Sequence, residues 1–169
     1  RKPPSSLKAY DLTLRAVWHY NEFTREGCDK AIDCLERSLA EDPEYSGALL
    51  RLGISKCLRY EIDFDLESVR QGLDLLERCI RIDPTDSRAF VVYSLGVGVI
   101  QGLDQSRSAI EQAMRLNPNQ NNAIGQRALV AIYEGDIDAA LRWLESLKKL
   151  TPHALPWASQ YHAIIAFHQ

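Results

Sequence analysis

The chain has 169 residues and a net charge of −3, from 20 lysines and arginines against 23 acids. Its length suits one domain with a substantial core, and 46% hydrophobic with 25% charged residues lies outside the disordered range. The charge balance argues against the concentrated basic face of a nucleic-acid binder. The most apolar run, 89–100, is far short of the roughly 20 residues that span a bilayer.

Helices are expected near 6–20, 25–40, 46–60, 66–81, 87–101, 105–116, 121–133, 137–150 and 155–168. The first carries Tyr10, Leu14 and Trp18 and ends before Thr24, a suitable N-cap for the second. The second stops at Asp42–Pro43, because a residue before proline is pushed out of the α region. After the third comes "DFDLE", 63–67, which superficially suggests calcium. An EF-hand starting at Asp63 would need glycine where Ser68 stands and glutamate where Asp74 stands, so Asp65 reads better as the N-cap of the fourth helix. That helix stops at Asp83–Pro84. The fifth, rich in valine, would read as a strand in isolation. Its place in the repeat described below makes it a helix. Gly102 with Asp104, and Gly135 with Asp136, read as a left-handed glycine followed by the N-cap of the next helix. Asn117–Pro118 and Thr151–Pro152 close the sixth and eighth helices.

The prolines at 84, 118 and 152 are spaced by 34 residues, and Pro43 stands 41 before Pro84. Twelve residues before them stand Ala31, Gly72, Ser106 and Ala140, all small. Eight before stand Leu35, Leu76, Ile110 and Leu144; five before stand Ser38, Cys79, Ala113 and Leu147. These spacings put a small–large–small stripe on one helix face. Six after the prolines come Leu49, Phe90, Ile124 and Ala158, and ten after come Gly53, Ser94, Ala128 and His162. Each X–Pro therefore closes one helical hairpin and opens another. The unit ending at Pro84 has about seven extra residues around "RYEIDFDLESV", an elongated hairpin.

A 34-residue helix–turn–helix period with this signature resembles the tetratricopeptide repeat. The clearest unit is 121–152, where Tyr133, Gly135, Asp136, Ala140 and Leu144 match; Ile124, Arg127 and Ala128 depart from the Trp, Leu and Gly favoured in the first helix. The resemblance implies one all-α domain over 1–169, a right-handed α-solenoid of antiparallel helix pairs with about nine helices. It would comprise a degenerate first repeat at 6–43, repeats at 46–84, 87–118 and 121–152, and an unpaired last helix at 155–168. Residues 6–53, with "AYDLTLR", "REGCDKAIDCLERSL" and "DPEYSGA", resemble more narrowly the repeat region of bacterial class III adenylate/guanylate cyclases and of invasion-regulator-type winged-helix activators. That resemblance implies a cytoplasmic interaction, scaffolding or sensory module of a signalling or transcription-regulatory protein. Its alternatives are an accessory regulatory domain of a cyclase and a structural self-association module. The chain opens on Arg1 and closes inside "AIIAFHQ", which reads as a segment of a longer protein with any output chemistry upstream.

No catalytic motif appears: there is no G-x-S-x-G, P-loop or dinucleotide fingerprint. His19, His153, His162 and His168 form no H-E-x-x-H, and the last two are six apart, a poor spacing for two ligands on one helix face. No catalytic residue, metal or cofactor is expected. Cys28, Cys34, Cys57 and Cys79 include no C-x-x-C pair and read either as buried thiols or, for the first two, as a disulfide.

In tetratricopeptide arrays the first helix of each pair lines a concave face that takes peptides. The prolines place Leu50, Ile54 and Leu58 there, then Val91, Leu95 and Val99, then Leu129, Ile132 and Tyr133. Chaperone-tail binders clamp a carboxylate with Lys, Arg and Asn at these places; here they are almost entirely aliphatic, which argues against a clamp. The row forms either a binding groove or a core packed on neighbouring helices. The fifth helix, apolar all round, needs cover on every side. The cover would be the first helix through Tyr10, Leu14 and Trp18, a second copy of the chain, or a partner's amphipathic helix. The expected partner is thus a protein or peptide, with no nucleic acid or membrane contact.

Overall fold

The computed structural model describes residues 5–22, 24–151 and 156–167. These form nine helices and no strand: α1 (Leu7–Tyr20), α2 (Arg25–Glu41), α3 (Ser46–Asp63), α4 (Leu66–Ile82), α5 (Ser87–Ile100), α6 (Leu103–Leu116), α7 (Asn121–Tyr133), α8 (Ile137–Leu150) and α9 (Pro156–Phe167). The valine-rich stretch is helical, as its place in the period requires.

The helix ends follow local chemistry. Asp42, Asp83, Asn117 and Thr151, each preceding a proline, are the C-caps of α2, α4, α6 and α8, and all take ψ of 86–92°. In each, the cap N–H still donates to the carbonyl four residues back, so the helix closes its last turn before the chain leaves it. At the other ends Thr24 Oγ1 accepts from Gly27 N at 3.0 Å, Asp65 Oδ1 from Glu67 N and Ser68 N, and Asp136 Oδ1 from Ala139 N at 2.9 Å. Gly135 adopts φ +78°, the left-handed turn its position suggests.

Asp104 is a correction. Gly102, at φ +107°, both ends α5 and occupies the N-cap of α6, so α6 begins at Leu103, earlier than expected. Asp104 falls in its first turn, where a carboxylate suits the helix dipole, and pairs with Arg107.

Packing is pairwise and sequential. Helices α1/α2, α3/α4, α5/α6 and α7/α8 form hairpins, each hairpin packs on the next, and the first helices α1, α3, α5 and α7 lie side by side. The large member of each small–large–small stripe is fully buried: Leu35, Leu76, Ile110 and Leu144 are at most 4% exposed. Burying each such side chain contributes about 1.5–3 kcal/mol. The small members allow close approach. A Cβ on Gly53 would lie 2.6 Å from Leu76 Cγ, and one on Gly72 would lie 2.9 Å from Cys57 Sγ. The backbones of α3 and α4 thus nearly touch there.

The hairpin before Pro84 is longer because both arms are longer. Helix α3 has 18 residues and α4 has 17, against 14 each in α5 and α6. The four extra residues of α3 and three of α4 account for the 41-residue spacing. The added end is tied back to α2 by ion pairs from Asp63 to Arg25 (2.9 Å) and from Arg59 to Asp29, while Asp63 and Arg59 pair with each other within α3 (3.0 Å). Phe64 turns the corner at φ 54°, unusual for so bulky a residue, with its ring edge-on to Tyr60 at 5.6 Å.

All four cysteines are free and buried, so the Cys28–Cys34 disulfide is not formed. Cys79 Sγ lies 3.5 Å from the Ser46 carbonyl, and Ser38 Oγ donates to the Ala9 carbonyl at 2.7 Å. Both donors stand five residues before a proline. Ser46 is the third residue after Pro43, so by the same relation Ser6 holds the place of the missing proline before α1. Counting from Ser6 then puts Leu12 at the large site six later and Ala16 at the small site ten later, both buried.

Candidate partner-binding groove

Helices α1, α3, α5 and α7 form one wall, and a groove of about 310 Å³ lies over its α1, α3 and α5 part, reaching the start of α7 at Gln120 and Asn122. Its apolar lining includes Val17, Leu50, Ile54, Val91 and Val92; its polar lining includes Asn21, Arg51, Arg88, Gln120 and Asn122. Eleven residues after Ser6, Pro43, Pro84 and Pro118 stand Val17, Ile54, Leu95 and Leu129, one aliphatic on each first helix and all four half-buried; Val17 and Ile54 line the groove, and Leu95 and Leu129 continue the row outside its lining. Fifteen after stand Asn21, Leu58, Val99 and Tyr133, of which Val99 is 42% and Tyr133 62% exposed.

The nine residues expected on this face therefore divide. Ile54, Leu95 and Leu129 form the half-buried row, and Leu58, Val99 and Tyr133 the row beyond it. Leu50 and Val91 border the groove, yet they are nearly covered by their own chain, at 3% and 5% exposed. Ile132 faces the interior: it packs in the α7–α8–α9 core with Ala139, Leu144 and Ile165. A step of one residue turns a helix by about 100°, which separates Ile132 from its exposed neighbour Tyr133.

The cover expected for α5 is different. Tyr10, Leu14 and Trp18 stay exposed at 44%, 48% and 67%, and α1 packs on α2 and α3 instead. Most of α5 is covered by α3, α4, α6 and α7.

The groove also has a polar side, formed by residues outside the nine expected places. Arg88 and Asn122 stand four residues after their prolines, and Arg51 eight after Pro43, so counting those registers would have found them. Arg88 Nε donates to Asp86 Oδ1 at 2.8 Å and its Nη2 pairs with Oδ2, which fixes the guanidinium while leaving the side chain 43% exposed. Arg51 Nη1 donates to the Gly47 carbonyl at 3.2 Å. Beyond Arg88, Gln120 and Asn122 the groove opens into a polar cleft of about 590 Å³ between the turns that precede α5 and α7.

Among the described residues no three His, Cys, Asp or Glu gather to hold a metal. His19 pairs with Glu22 at 3.2 Å and His162 is exposed, while His153 and His168 lie outside the described residues. Burial pushes the Cys57 thiol up to about 12, far from the thiolate a nucleophile requires. No described helix is long and apolar enough to cross a membrane.

This architecture is that of a tetratricopeptide-like α-solenoid. Its solved counterparts include TTC0263, a thermophilic TPR protein of Thermus thermophilus, at TM-score 0.65 and 17% identity over 94% of this chain and 99% of that one. Another is the first TPR of Spaghetti (RPAP3) bound to the HSP90 peptide SRMEEVD, at TM-score 0.63 and 17% identity over 78% and 97%. In sequence the chain is 23% identical over 150 residues to interferon-induced protein with tetratricopeptide repeats 2 of Cricetulus griseus, covering 89% of this chain and 31% of that protein. The chain thus spans about a third of the length of that curated relative. No protein-family model matches it.

Proposed function

We propose that this chain is a non-catalytic protein-binding module that holds a segment of a partner against the face formed by α1, α3, α5 and α7. The observation that carries the reading is the row Val17, Ile54, Leu95 and Leu129: aliphatic on every first helix, and half-buried on each. A row that served only the core would be covered, as Leu50 and Val91 are. The peptide complex of the Spaghetti repeat lends the reading support by analogy of fold. The resemblance of residues 6–53 supports a finer context, a cytoplasmic scaffolding or sensory part of a bacterial signalling or transcription-regulatory protein, including the cyclases.

The test is selection of binders from a displayed twelve-residue peptide library, followed by titration of the bound peptides. Leu95→Glu and Val99→Glu should abolish binding while circular dichroism shows full helix content. Unfolding of Leu95→Glu together with intact binding by Val99→Glu would assign this side to the core and overturn the reading. So would two folded variants that bind undiminished.

A further inference from the structure

We infer that the outer face of α1 joins two copies of this chain, α1 against α1 in opposite directions about a two-fold axis. The inference is independent of the groove. Helix α1 carries Leu7, Tyr10, Leu14 and Trp18, all exposed, Leu7 to 88%. At about 100° per residue, Leu7, Leu14 and Trp18 fall within about 40° of one another, with Tyr10 on the flank. The register shows what this face does in the rest of the array. Twelve residues after Ser6, Pro43, Pro84 and Pro118 stand Trp18, Ser55, Gly96 and Val130. In the three later hairpins that place is buried. Cys28 Sγ of α2 lies 3.8 Å from the Ser55 carbonyl, and a Cβ on Gly96 would lie 2.7 Å from Leu73 Cδ2 of α4. The place thus receives the second helix of the hairpin before it. In α1 it holds the large, exposed Trp18, with Leu14 one turn earlier. A terminal unit that met only water would keep a polar outer face.

Charge selects a second copy as the occupant, and sets its direction. Asp11 and Arg15 border the same stripe, paired at 2.8 Å, with both side chains more than half exposed. In an antiparallel pair whose two-fold axis passes near residue 13, Asp11 of each copy stands beside Arg15 of the second copy. The same axis brings Leu7 of each copy beside Trp18 of the other. A parallel pair would set Asp11 against Asp11 and Arg15 against Arg15, and such like-charge contacts are costly. The antiparallel contact uses the same patch on both partners, so it closes at two copies. A covered aromatic buries about 150–250 Å². Two aromatics and two leucines from each copy, with Asp11 and Arg15 at the edge, bring the contact near the ~1,000 Å² that a specific interface needs. That size makes a weak dimer. The groove residues Val17 and Tyr20 stand about 90–150° round α1 from this stripe, so the pair leaves the groove open.

Sedimentation velocity on the whole 169-residue chain tests this, at concentrations up to about 100 μM. The wild type should pass from monomer to dimer as concentration rises. Leu14→Glu and Trp18→Glu should stay monomeric with full helix content by circular dichroism, because both places are on the monomer's surface. Asp11→Arg and Arg15→Asp each turn two attractions between the copies into two repulsions, and each should weaken the dimer about five- to thirty-fold. The double variant Asp11→Arg/Arg15→Asp exchanges the signs, restores both pairs and should dimerise as the wild type does. A wild type still monomeric at about 100 μM overturns the inference and leaves the face to a helix of another protein. A dimer that persists in Trp18→Glu and Leu14→Glu overturns the choice of face. Single charge variants that dimerise like the wild type, or a double variant no better than the singles, overturn the antiparallel register. Growth beyond two copies overturns the two-fold pairing.

Discussion

Adding one methyl group at Gly53 should destabilise the protein, and removing Leu76 should reverse the sign of that effect. The new Cβ would lie 2.6 Å from Leu76 Cγ and 2.9 Å from Cδ2, where carbon contacts settle at about 3.5–4.0 Å. Leu76 has no exposed surface into which it could swing. Overpacking of this kind costs about 1–3 kcal/mol. Against it, alanine favours a helix interior over glycine by about 1 kcal/mol. Gly53→Ala should therefore lose up to about 2 kcal/mol. Leu76→Ala alone should lose about 2–5 kcal/mol through the cavity it leaves. In that background the new methyl has room, and Gly53→Ala should instead gain about 0.5–1 kcal/mol. Urea denaturation of the four proteins, followed by circular dichroism, closes the cycle with a coupling of about 1–3 kcal/mol. A Gly53→Ala effect of the same sign and size in both backgrounds would refute the close crossing of α3 and α4.

Ala140→Leu should cost about 1–3 kcal/mol, because Ala140 is fully covered, while exposed Asp138→Leu changes the thermal midpoint little; equal small shifts would mean the repeat register is wrong. Cys57 makes stability depend on alkaline pH. Its folded pKa of about 12 lies above its ordinary 9.0, so the folded state keeps a proton the unfolded state releases, and the stabilisation present below pH 9 is lost as pH rises toward 12. Urea midpoints measured from pH 8 to pH 10 should fall more steeply in the wild type than in Cys57→Ala, by up to about 1.4 kcal/mol per pH unit above 9; parallel curves would exclude the burial as its cause. Asp65→Ala removes acceptors for two backbone N–H groups and should cost about 1 kcal/mol in thermal melts, whereas a negligible shift would show that the cap adds nothing. Reductant and chelator should leave the melting curve in place, and a drop with either would reveal a bridge or an ion.

The helices were legible because their ends are fixed locally. A residue before proline and a hydroxyl or carboxylate at an N-cap act within a few residues, so Asp42, Asp83, Thr24 and Asp65 are readable one at a time. Asp104 misled because Gly102 can itself take the cap position, which the sequence does not distinguish from an ordinary C-terminal glycine. The groove was only half legible. Hydrophobic periodicity selects aliphatics, so it picked out Ile54, Leu95 and Leu129, of which Ile54 lines the groove, and it admitted Ile132, which differs from Tyr133 by one residue of rotation. It passed over Arg51 and Arg88, which carry no hydrophobic signal. These meet Asn21 and Asn122 only because four helices far apart in sequence stand side by side. Val17 escaped notice because α1 has no proline before it in the right place; the matching contacts of Ser38 and Cys79 reveal its register.

The lengthened α3–α4 hairpin bears on how such a chain can change in length. A helix residue turns its successors by about 100°, so an insertion into one arm rotates everything beyond it. Four residues in α3 overshoot a full turn by about 40°, and three in α4 fall short by about 60°. Each arm thus comes back nearly to its starting face, and the stripes through Gly53 and Leu76 still meet. Two residues in one arm would turn its end by about 200° and present charge to its neighbour. Mutational drift in this array is therefore permitted in steps of about one turn per arm, made on both arms together, and hairpin lengths among its relatives should cluster about seven residues apart rather than vary smoothly.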